Sequence, residues 1–310
     1  MHAAQSFAVT EAYRGMRLDR FLQRMMPRMS RASIQQAIAT RVHLRSGAEP
    51  KASRRPAVGD VVTIAARPRG DTAHVIVPVL VAGRGWTVVD KPAGVASTPG
   101  SRRPGPDIVT MLGQAPAHRL DRGTSGCLLL TSDPFTARCF DLAFRARRVA
   151  KSYLAVVLGT PACSVFDIDA PIGPDLQSRV PRKMAVLASG VPAATHVEVL
   201  ARAGDRCLVR AVPLTGRRHQ IRVHLAHTGH AIVGDLLYGG DERRFIRHQM
   251  GQPVDTAPGL AAGRHLLHAH RLAFDDPASG QRIEVEAPWP ADFGFAPAAG
   301  QPRATSWDRS

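Results

Sequence analysis

Cysteines are few in this sequence, and they are widely spaced. None of the four belongs to a Cys-x-x-Cys pair: Cys127, Cys139, Cys163 and Cys207. This spacing argues against a disulfide framework and against a zinc knuckle, and a reducing cytoplasm fits best. The histidines of segment 265–270 have no carboxylate or cysteine beside them at ligand spacing. We therefore expect them to be polar residues of a strand rather than metal ligands.

Long hydrophobic runs are also absent. The longest apolar stretch, residues 75–82, is interrupted by Pro78 and is far too short to span a bilayer. The segment 1–15 lacks the basic start and apolar run of a secretory signal. We expect a cytoplasmic protein that does not bind membranes. The sequence has no Walker loop and no G-x-G-x-x-G after a strand, so nucleotide-driven and dinucleotide chemistry lose most of their support.

Acidic and aromatic residues are scarce, whereas arginine is abundant. The chain has 41 Lys+Arg against 25 Asp+Glu, a net charge of +16, and only 5% aromatic residues. Such an excess of positive charge indicates a polyanionic partner, nucleic acid rather than membrane. The aromatic content is too low for the stacking platforms that read single strands. Arginine suits phosphates and base edges, although a GC-rich genome would produce the same bias.

The positive charge is concentrated at the N-terminus. Residues 1–70 contain 13 Lys+Arg and 4 Asp+Glu, a net charge of +9. Four apolar residues follow the spacing of a buried helical face: Leu18, Phe21, Leu22 and Met25. A basic stripe runs beside them: Arg17, Arg20, Arg24 and Arg28. The clustering favours contact with RNA phosphates, with a solvated basic face as the alternative.

A second helix and a strand predicted at 58–64 complete this segment. Ser30 is the expected N-cap, and the pattern turns three residues inward: Ile34, Ala37 and Ile38. The segment resembles the S4 RNA-binding domain through MRLDRFL at 16–22, SRASIQQAI at 30–38 and GDVVTI at 59–64, while HLRSG at 43–47 replaces the usual Val-Asn-Gly turn. The resemblance implies a small α/β domain over residues 1–70, with RNA contacts from four arginines: Arg17, Arg20, Arg24 and Arg31.

The rest of the chain indicates strands with scattered helices. The patterns predict strands at 86–89, 127–131, 153–158, 197–200 and 207–212. They also predict a helix at 133–147, capped by Asp133 with Pro134 at its first position, and a helix at 215–229, capped by Thr215. Strands and helices do not alternate regularly, so we expect an α+β fold with a mixed, largely antiparallel sheet flanked by helices and loops. The expected division is a linker at 71–80, a catalytic domain at 81–290 and a disordered tail at 291–310.

One carboxylate occupies an unusual position at the start of an apolar segment. Asp121 lies between Arg119 and Arg122, just before a Gly-Thr-Ser-Gly turn and the hydrophobic residues 127–130. A carboxylate that loses hydration has a raised pKa unless an opposite charge keeps it ionised. An aspartate that is ionised but poorly hydrated is a competent base or nucleophile. From these residues alone, a structural ion pair remains the alternative.

Five separated motifs lie in the region between residues 91 and 239. In chain order they are KPAG at 91–94, HRLDRGTSG at 118–126, KSYLAV at 151–156, GRRHQIRVH at 216–224 and GDLLYG at 234–239. Together they resemble the motifs of the RluA-type pseudouridine synthases. An S4 domain in front of the catalytic domain is a common arrangement in that family. The sequence departs from the family pattern after the first motif, where Ser-Thr-Pro at 97–99 replaces the more usual His-Pro.

The resemblance implies an enzyme that isomerises uridine by breaking the N1–C1′ bond and joining C5 to C1′. By similarity, Asp121 acts on C1′ or removes a proton from C2′, and Arg222 pairs with Asp121 and keeps it ionised. Tyr153 offers its ring to the uracil and its hydroxyl for the C5 proton. Arg119 is similar to the family arginine that fills the place of the flipped base, and Arg122 is a further RNA-contacting candidate.

No external group is gained in this isomerisation, so the resemblance implies no cofactor. RNA is the expected partner, recognised by its shape and phosphates, and we expect a monomer. The S4-like segment favours large-subunit ribosomal RNA as the substrate. A tRNA-directed synthase and a non-catalytic RNA-binding assembly factor on the same fold remain alternatives.

Overall fold

The computed structural model describes residues 5–26, 31–65, 75–99, 105–249, 252, 254 and 264–295. These residues fall into two compact units. The first comprises the described residues up to 65 with 99, 105 and 106, and the second comprises 75–98 and the described residues from 107 onward. Each unit has its own hydrophobic core.

The N-terminal unit contains two α-helices and a three-stranded sheet. Its elements are β1 (Gln5–Ala8), a 3-10 helix (Glu11–Tyr13), α1 (Leu18–Met25), α2 (Arg31–Thr40), β2 (Val42–Leu44) and β3 (Val61–Ile64). The strand order is β1-β3-β2, and both pairings are antiparallel. β3 begins later than the predicted residue 58 because Gly59, with a φ of 88°, turns the chain before the strand.

The core of this unit uses the helical faces that the sequence predicts. Leu18, Phe21 and Leu22 of α1 are buried, and Met25 packs against the same core. The three apolar residues predicted to face inward from α2 are also buried: Ile34, Ala37 and Ile38. Arg28 and Ser30 lie outside the described residues.

The second unit is built on one large sheet. Its strands are β4 (Val79–Gly83), β5 (Trp86–Lys91), β6 (Ala115–Pro116), β7 (Ser125–Thr131), β8 (Ala150–Leu158), β9 (Val165–Asp169), β10 (Ile172–Pro174), β11 (Met184–Val186), β12 (Ala194–Ala203), β13 (Arg206–Pro213), β14 (Leu267–Asp275) and β15 (Arg282–Glu286). Its helices are α3 (Ile108–Leu112), α4 (Pro134–Arg145), α5 (Gln220–His227), α6 (Glu242–Gln249) and a 3-10 helix (Ala291–Phe293).

The order of the main sheet is β4-β5-β7-β14-β8-β13-β12-β9, with β6 paired to β7 and β15 paired to β14. Among the described strands, β7 and β14 form the one parallel pair, and the other pairings are antiparallel. β10 and β11 form a separate hairpin. The predicted α+β fold with a mixed, largely antiparallel sheet is confirmed. No helix in the described ranges combines the length and the apolar character that crossing a bilayer requires.

The starts of two predicted helices show one local sequence signal that predicts the helix correctly and one that does not. Asp133 caps α4 as predicted, since its side chain accepts a hydrogen bond from the Thr136 amide, and Pro134 occupies the first turn. By contrast, the prediction that a helix begins after Thr215 is wrong, because α5 begins at Gln220. The Gln220 side-chain oxygen accepts hydrogen bonds from the Thr215 hydroxyl at 2.7 Å and the Arg217 amide at 2.9 Å. These bonds hold residues 215–219 as a turn.

Two predicted boundaries also differ from the structure. β4 begins at Val79, inside the predicted linker 71–80. The predicted tail begins at residue 291, yet Ala291–Phe293 form a 3-10 helix in which Phe293 is buried and Asp292 pairs with Arg264. The composition of the segment did not predict this packing, because it depends on the burial of one aromatic side chain, that of Phe293. Residues 296–310 lie outside the described residues.

Candidate active site

Asp121 and Tyr153 approach each other from the two neighbours of β14. Asp121 lies in the loop that precedes β7, and Tyr153 lies on β8. The register places both Gly126 of β7 and Tyr153 of β8 opposite Ala269 of β14. A side chain on Gly126 would collide with the backbone of Ala269, so this close approach requires glycine. The central strands therefore bring the Asp121 loop within one strand of Tyr153.

Lys91 fastens the Asp121 loop to the turn after β5. Its side chain is fully buried, and Nζ donates hydrogen bonds to the carbonyl oxygens of Pro92 at 2.9 Å, Val95 at 2.7 Å and Arg122 at 3.4 Å. The amide of Gly94 donates to the Arg122 carbonyl at 2.8 Å, and Arg122 Nη1 donates to the Gly94 carbonyl at 3.0 Å. The residue next to Asp121 is thus held by side-chain and backbone bonds together.

Arg222 of α5 lies between two carboxylates. Its Nη1 donates to Oδ2 of Asp121 at 2.7 Å. Its Nε and Nη2 donate to the two oxygens of Asp235 at 2.7 and 2.8 Å. The Asp235 side chain is 1% exposed and that of Arg222 is 7% exposed, whereas that of Asp121 is 30% exposed. The buried partner therefore orients the guanidinium, and the accessible partner faces outward.

The electrostatics of the pocket keep Asp121 ionised. Burial raises the pKa of this carboxyl, but at the acidic pH where it titrates, the charge of the protonated His219, the charge of Arg222 and the hydrogen bond from Arg222 outweigh burial, so the pKa lies well below its ordinary value. Burial also raises the pKa of the Tyr153 hydroxyl, and the charge of Asp121 raises it further. At neutral pH the pocket thus holds a carboxylate beside a protonated phenol.

Tyr153 is buried in the same apolar cluster as the neighbours of the ion pair. Leu120, which precedes Asp121, and Ile221, which precedes Arg222, belong to this cluster with Tyr153. The cluster supplies the water-poor surroundings that strengthen the ion pair. The structure therefore brings the three predicted catalytic residues into one region of the second unit.

A histidine and a second tyrosine complete the surroundings of Asp121. His219, the residue before α5, places Nε2 at 3.6 Å from Oδ1 of Asp121, and its Nδ1 lies 2.8 Å from the Tyr238 hydroxyl. That hydroxyl also accepts a hydrogen bond from the Met184 amide at 3.0 Å. Burial lowers the pKa of His219 to about 4, so the imidazole is neutral at physiological pH.

The predicted RNA-contacting arginines differ in their surroundings. Arg119 is exposed two residues before Asp121. Arg20 and Arg24 are exposed on α1, whereas Arg17 donates to both oxygens of Asp19, at 3.1 and 2.9 Å. Arg17 therefore has part of its charge neutralised within the chain. Arg31 begins α2, and its side chain lies outside the described residues.

Sequence reasoning assigned no role to Lys91, His219, Asp235 or Tyr238. All four lie inside the five motifs, so the signal was present. What the sequence could not show is that Asp235 and Tyr238 fold back onto α5. His265, predicted only as a polar strand residue, lies just before β14, and its Nε2 lies 2.8 Å from the Thr124 hydroxyl, which places it against the Asp121 loop. Burial lowers the pKa of His265 to about 3.

The sequence has well-defined relatives. A family profile described as RNA pseudouridylate synthase matches residues 85–227. An uncharacterized RNA pseudouridine synthase of Chloroflexus aurantiacus is 36% identical over 89% of this chain and 87% of its own length. A protein of Nitrosomonas europaea named ribosomal large subunit pseudouridine synthase D is 32% identical over 90% of this chain and 83% of its own length.

The fold has a matching relative among solved structures. Human RNA pseudouridylate synthase domain containing 1 superposes with a TM-score of 0.54 and 30% sequence identity, covering 69% of this chain and 84% of the human one. The region matched by the family profile contains the motifs that carry Asp121, Tyr153 and Arg222. The chain therefore belongs to the RluA-type family of RNA pseudouridine synthases and is an RNA-modifying isomerase.

Proposed function

We propose that Asp121 is the catalytic carboxylate of this isomerase and that Arg222 holds it ionised. The observation that carries the proposal is the 2.7 Å hydrogen bond from Arg222 to Oδ2 of a carboxylate that is still 30% exposed. A purely structural ion pair has no need of an accessible oxygen. The pair of Arg222 with Asp235, almost wholly buried, is an example of the structural alternative in the same molecule.

The chemistry assigns complementary tasks to the two other groups. The N1–C1′ bond breaks, the uracil turns, C5 bonds to C1′, and the C5 proton leaves. Asp121 either adds to C1′ or takes the C2′ proton during the first step. Burial and the charge of Asp121 raise the pKa of Tyr153, so it is protonated at neutral pH and acts as a relay: its hydroxyl oxygen takes the C5 proton as its own proton passes to water. The reaction gains and loses no group, and no redox step is involved.

We infer that the substrate is a uridine of large-subunit ribosomal RNA. Two features support this target: the name of the Nitrosomonas europaea relative, and the S4-like pattern of the N-terminal unit, whose α1 exposes Arg20 and Arg24. The uridine must leave its stack to reach Asp121, and the exposed Arg119 near that carboxylate is suited to fill the vacated place. The compartment that follows from such a substrate is the cytoplasm.

Mapping of pseudouridines tests this function. Total RNA from a strain that lacks the protein is treated with carbodiimide and read by primer extension, with strains complemented by wild type or by Asp121→Asn alongside. We expect sites in large-subunit RNA to vanish and to return only with wild type. Loss confined to tRNA would contradict the ribosomal target, and sites restored by Asp121→Asn would contradict the role of Asp121.

A further inference from the structure

The backbone at His219 adopts a left-handed conformation that is uncommon for residues other than glycine. Its φ of 55° and ψ of 18° lie in the left-handed region, where a side chain is strained and glycine or asparagine is preferred. His219 is also the N-cap of α5, a position that Ser, Thr, Asp or Asn usually fills by accepting a hydrogen bond from the helix. The imidazole makes no such bond. Helix formation therefore does not explain why histidine stands here.

The side chain is instead directed at the carboxylate. Nε2 of His219 lies 3.6 Å from Oδ1 of Asp121, whereas Oδ2 is taken by Arg222. The separation of 3.6 Å is beyond a hydrogen bond. In the described ranges no donor forms a hydrogen bond to Oδ1, so this is the oxygen that remains for a substrate.

Tyr238 determines which ring nitrogen of His219 carries the proton. The Tyr238 hydroxyl accepts the Met184 amide, which leaves its own proton to be donated to Nδ1 of His219 at 2.8 Å. The proton of the neutral ring then resides on Nε2, the nitrogen that faces the carboxylate. The Tyr238 ring also lies against the Arg222 guanidinium, 5.0 Å from its centre. One aromatic side chain thus contacts both groups that face Asp121.

We propose that His219 is a positioning residue that directs Oδ1 of Asp121 toward the ribose by presenting a neutral N–H from Nε2. The two atoms lie 3.6 Å apart in the structure, so a hydrogen bond between them requires this contact to shorten when the ribose is bound. Arg222 supplies the charge that keeps Asp121 ionised, and His219 supplies direction without a second full charge. This inference rests on the proposed role of Asp121.

Substitutions at His219 separate this role from a backbone role. His219→Asn and His219→Gly relieve the left-handed strain but remove the donor at the Nε2 position, whereas His219→Gln retains a donor there. We expect kcat to fall about 10-fold to 100-fold in the first two variants, the loss typical of one hydrogen bond to a charged group. KM for the RNA should stay near the wild-type value, and His219→Gln should recover part of kcat. Wild-type kcat in His219→Asn or His219→Gly would overturn the proposal.

A spectroscopic measurement tests the proton position without any RNA. In the ¹⁵N NMR spectrum of the free enzyme at neutral pH, we expect the protonated type of shift for Nε2 of His219 and the unprotonated type for Nδ1. The opposite tautomer, or a doubly protonated ring, would overturn the proposal. Asp121→Asn assayed in parallel keeps the two hypotheses apart. If Asp121→Asn retains activity, the proposed function is refuted. If Asp121→Asn is inactive but His219→Asn has wild-type activity, only the role of His219 is refuted.

Discussion

Both carboxylate oxygens of Asp235 accept hydrogen bonds from the guanidinium of Arg222, at 2.7 and 2.8 Å, while the remaining Nη1 donates to Asp121. Asp235 also accepts hydrogen bonds from the amides of Leu237 at 3.0 Å and Tyr238 at 3.2 Å. The carboxylate thereby fixes the chain that follows α5 to the helix itself. The ion pair of Arg222 with Asp121 depends on a second ion pair behind it.

Asp235→Asn should weaken both folding and catalysis. The change leaves Arg222 buried with half of its compensating charge removed, and breaking a buried ion pair in this way costs about 3 to 5 kcal/mol. Urea denaturation should show a lower free energy of unfolding, and kcat should fall because the guanidinium is no longer held toward Asp121. Asp241→Asn breaks the exposed pair with Arg243 and serves as the control, with no measurable change expected. Equal stability of the two variants would contradict the role given to Asp235.

Lys91 should make the free energy of unfolding depend on pH between neutral and alkaline values. Burial lowers the pKa of Lys91 from its ordinary 10.5 to about 7. Between about pH 7 and pH 10.5 the unfolded chain therefore binds more protons than the folded one, so the folded state gains stability as pH rises. The free energy of unfolding of wild type minus that of Lys91→Met should increase across this window. The subtraction removes the titration of other groups, and a difference that is flat with pH would contradict the prediction.

Tyr153→Phe should separate binding from proton transfer. The ring offered to the uracil remains, and the hydroxyl that relays the C5 proton is removed. With RNA carrying tritium at C5 of uridine, release of the label to water should slow about 10²-fold to 10⁴-fold, the usual contribution of a positioned proton-transfer group. RNA affinity should be unchanged. Tyr13→Phe in the N-terminal unit is the control, and a Tyr153→Phe rate equal to that control would refute the relay.

Arg20 and Arg24 should contribute to the salt dependence of RNA binding. Both are exposed on α1, and removing one cation that binds a phosphate reduces the slope of log affinity against log salt by about 1. The double variant Arg20→Ala/Arg24→Ala should therefore show weaker binding and a shallower slope in filter-binding titrations. Arg145→Ala, on α4 and paired with Asp141, serves as the control for a single surface arginine. An unchanged slope in the double variant would contradict the prediction and would mean that Arg20 and Arg24 face solvent without binding phosphates.

The fold was predictable wherever local signals decide it. The spacing of Leu18, Phe21 and Leu22 predicted a buried helical face, and Asp133 followed by Pro134 predicted the start of α4. The start of α5 was not predictable in this way, because the Gln220 side chain organises the preceding turn. The docking of Phe293 was likewise hidden in a segment whose composition is typical of a disordered tail.

The candidate site was predictable only in part. The resemblance indicated Asp121, Tyr153 and Arg222, which the structure places in one region of the second unit. The roles of Asp235 and His219 depend on contacts that sequence spacing does not encode. Asp235 binds Arg222 from 13 positions further along the chain, and the left-handed backbone of His219 directs its ring toward Asp121. Pairing across such distances is a property of the folded sheet and its loops.

Asp121→Asn in the purified enzyme tests the central claim most directly. The amide keeps the size of the side chain but cannot act as a nucleophile or base, while Arg222 retains its bond to Asp235. Under single-turnover conditions with ribosomal RNA, binding should match wild type by filter retention, and carbodiimide treatment with primer extension should detect no pseudouridine. Formation of pseudouridine at the wild-type rate by this variant would contradict the account.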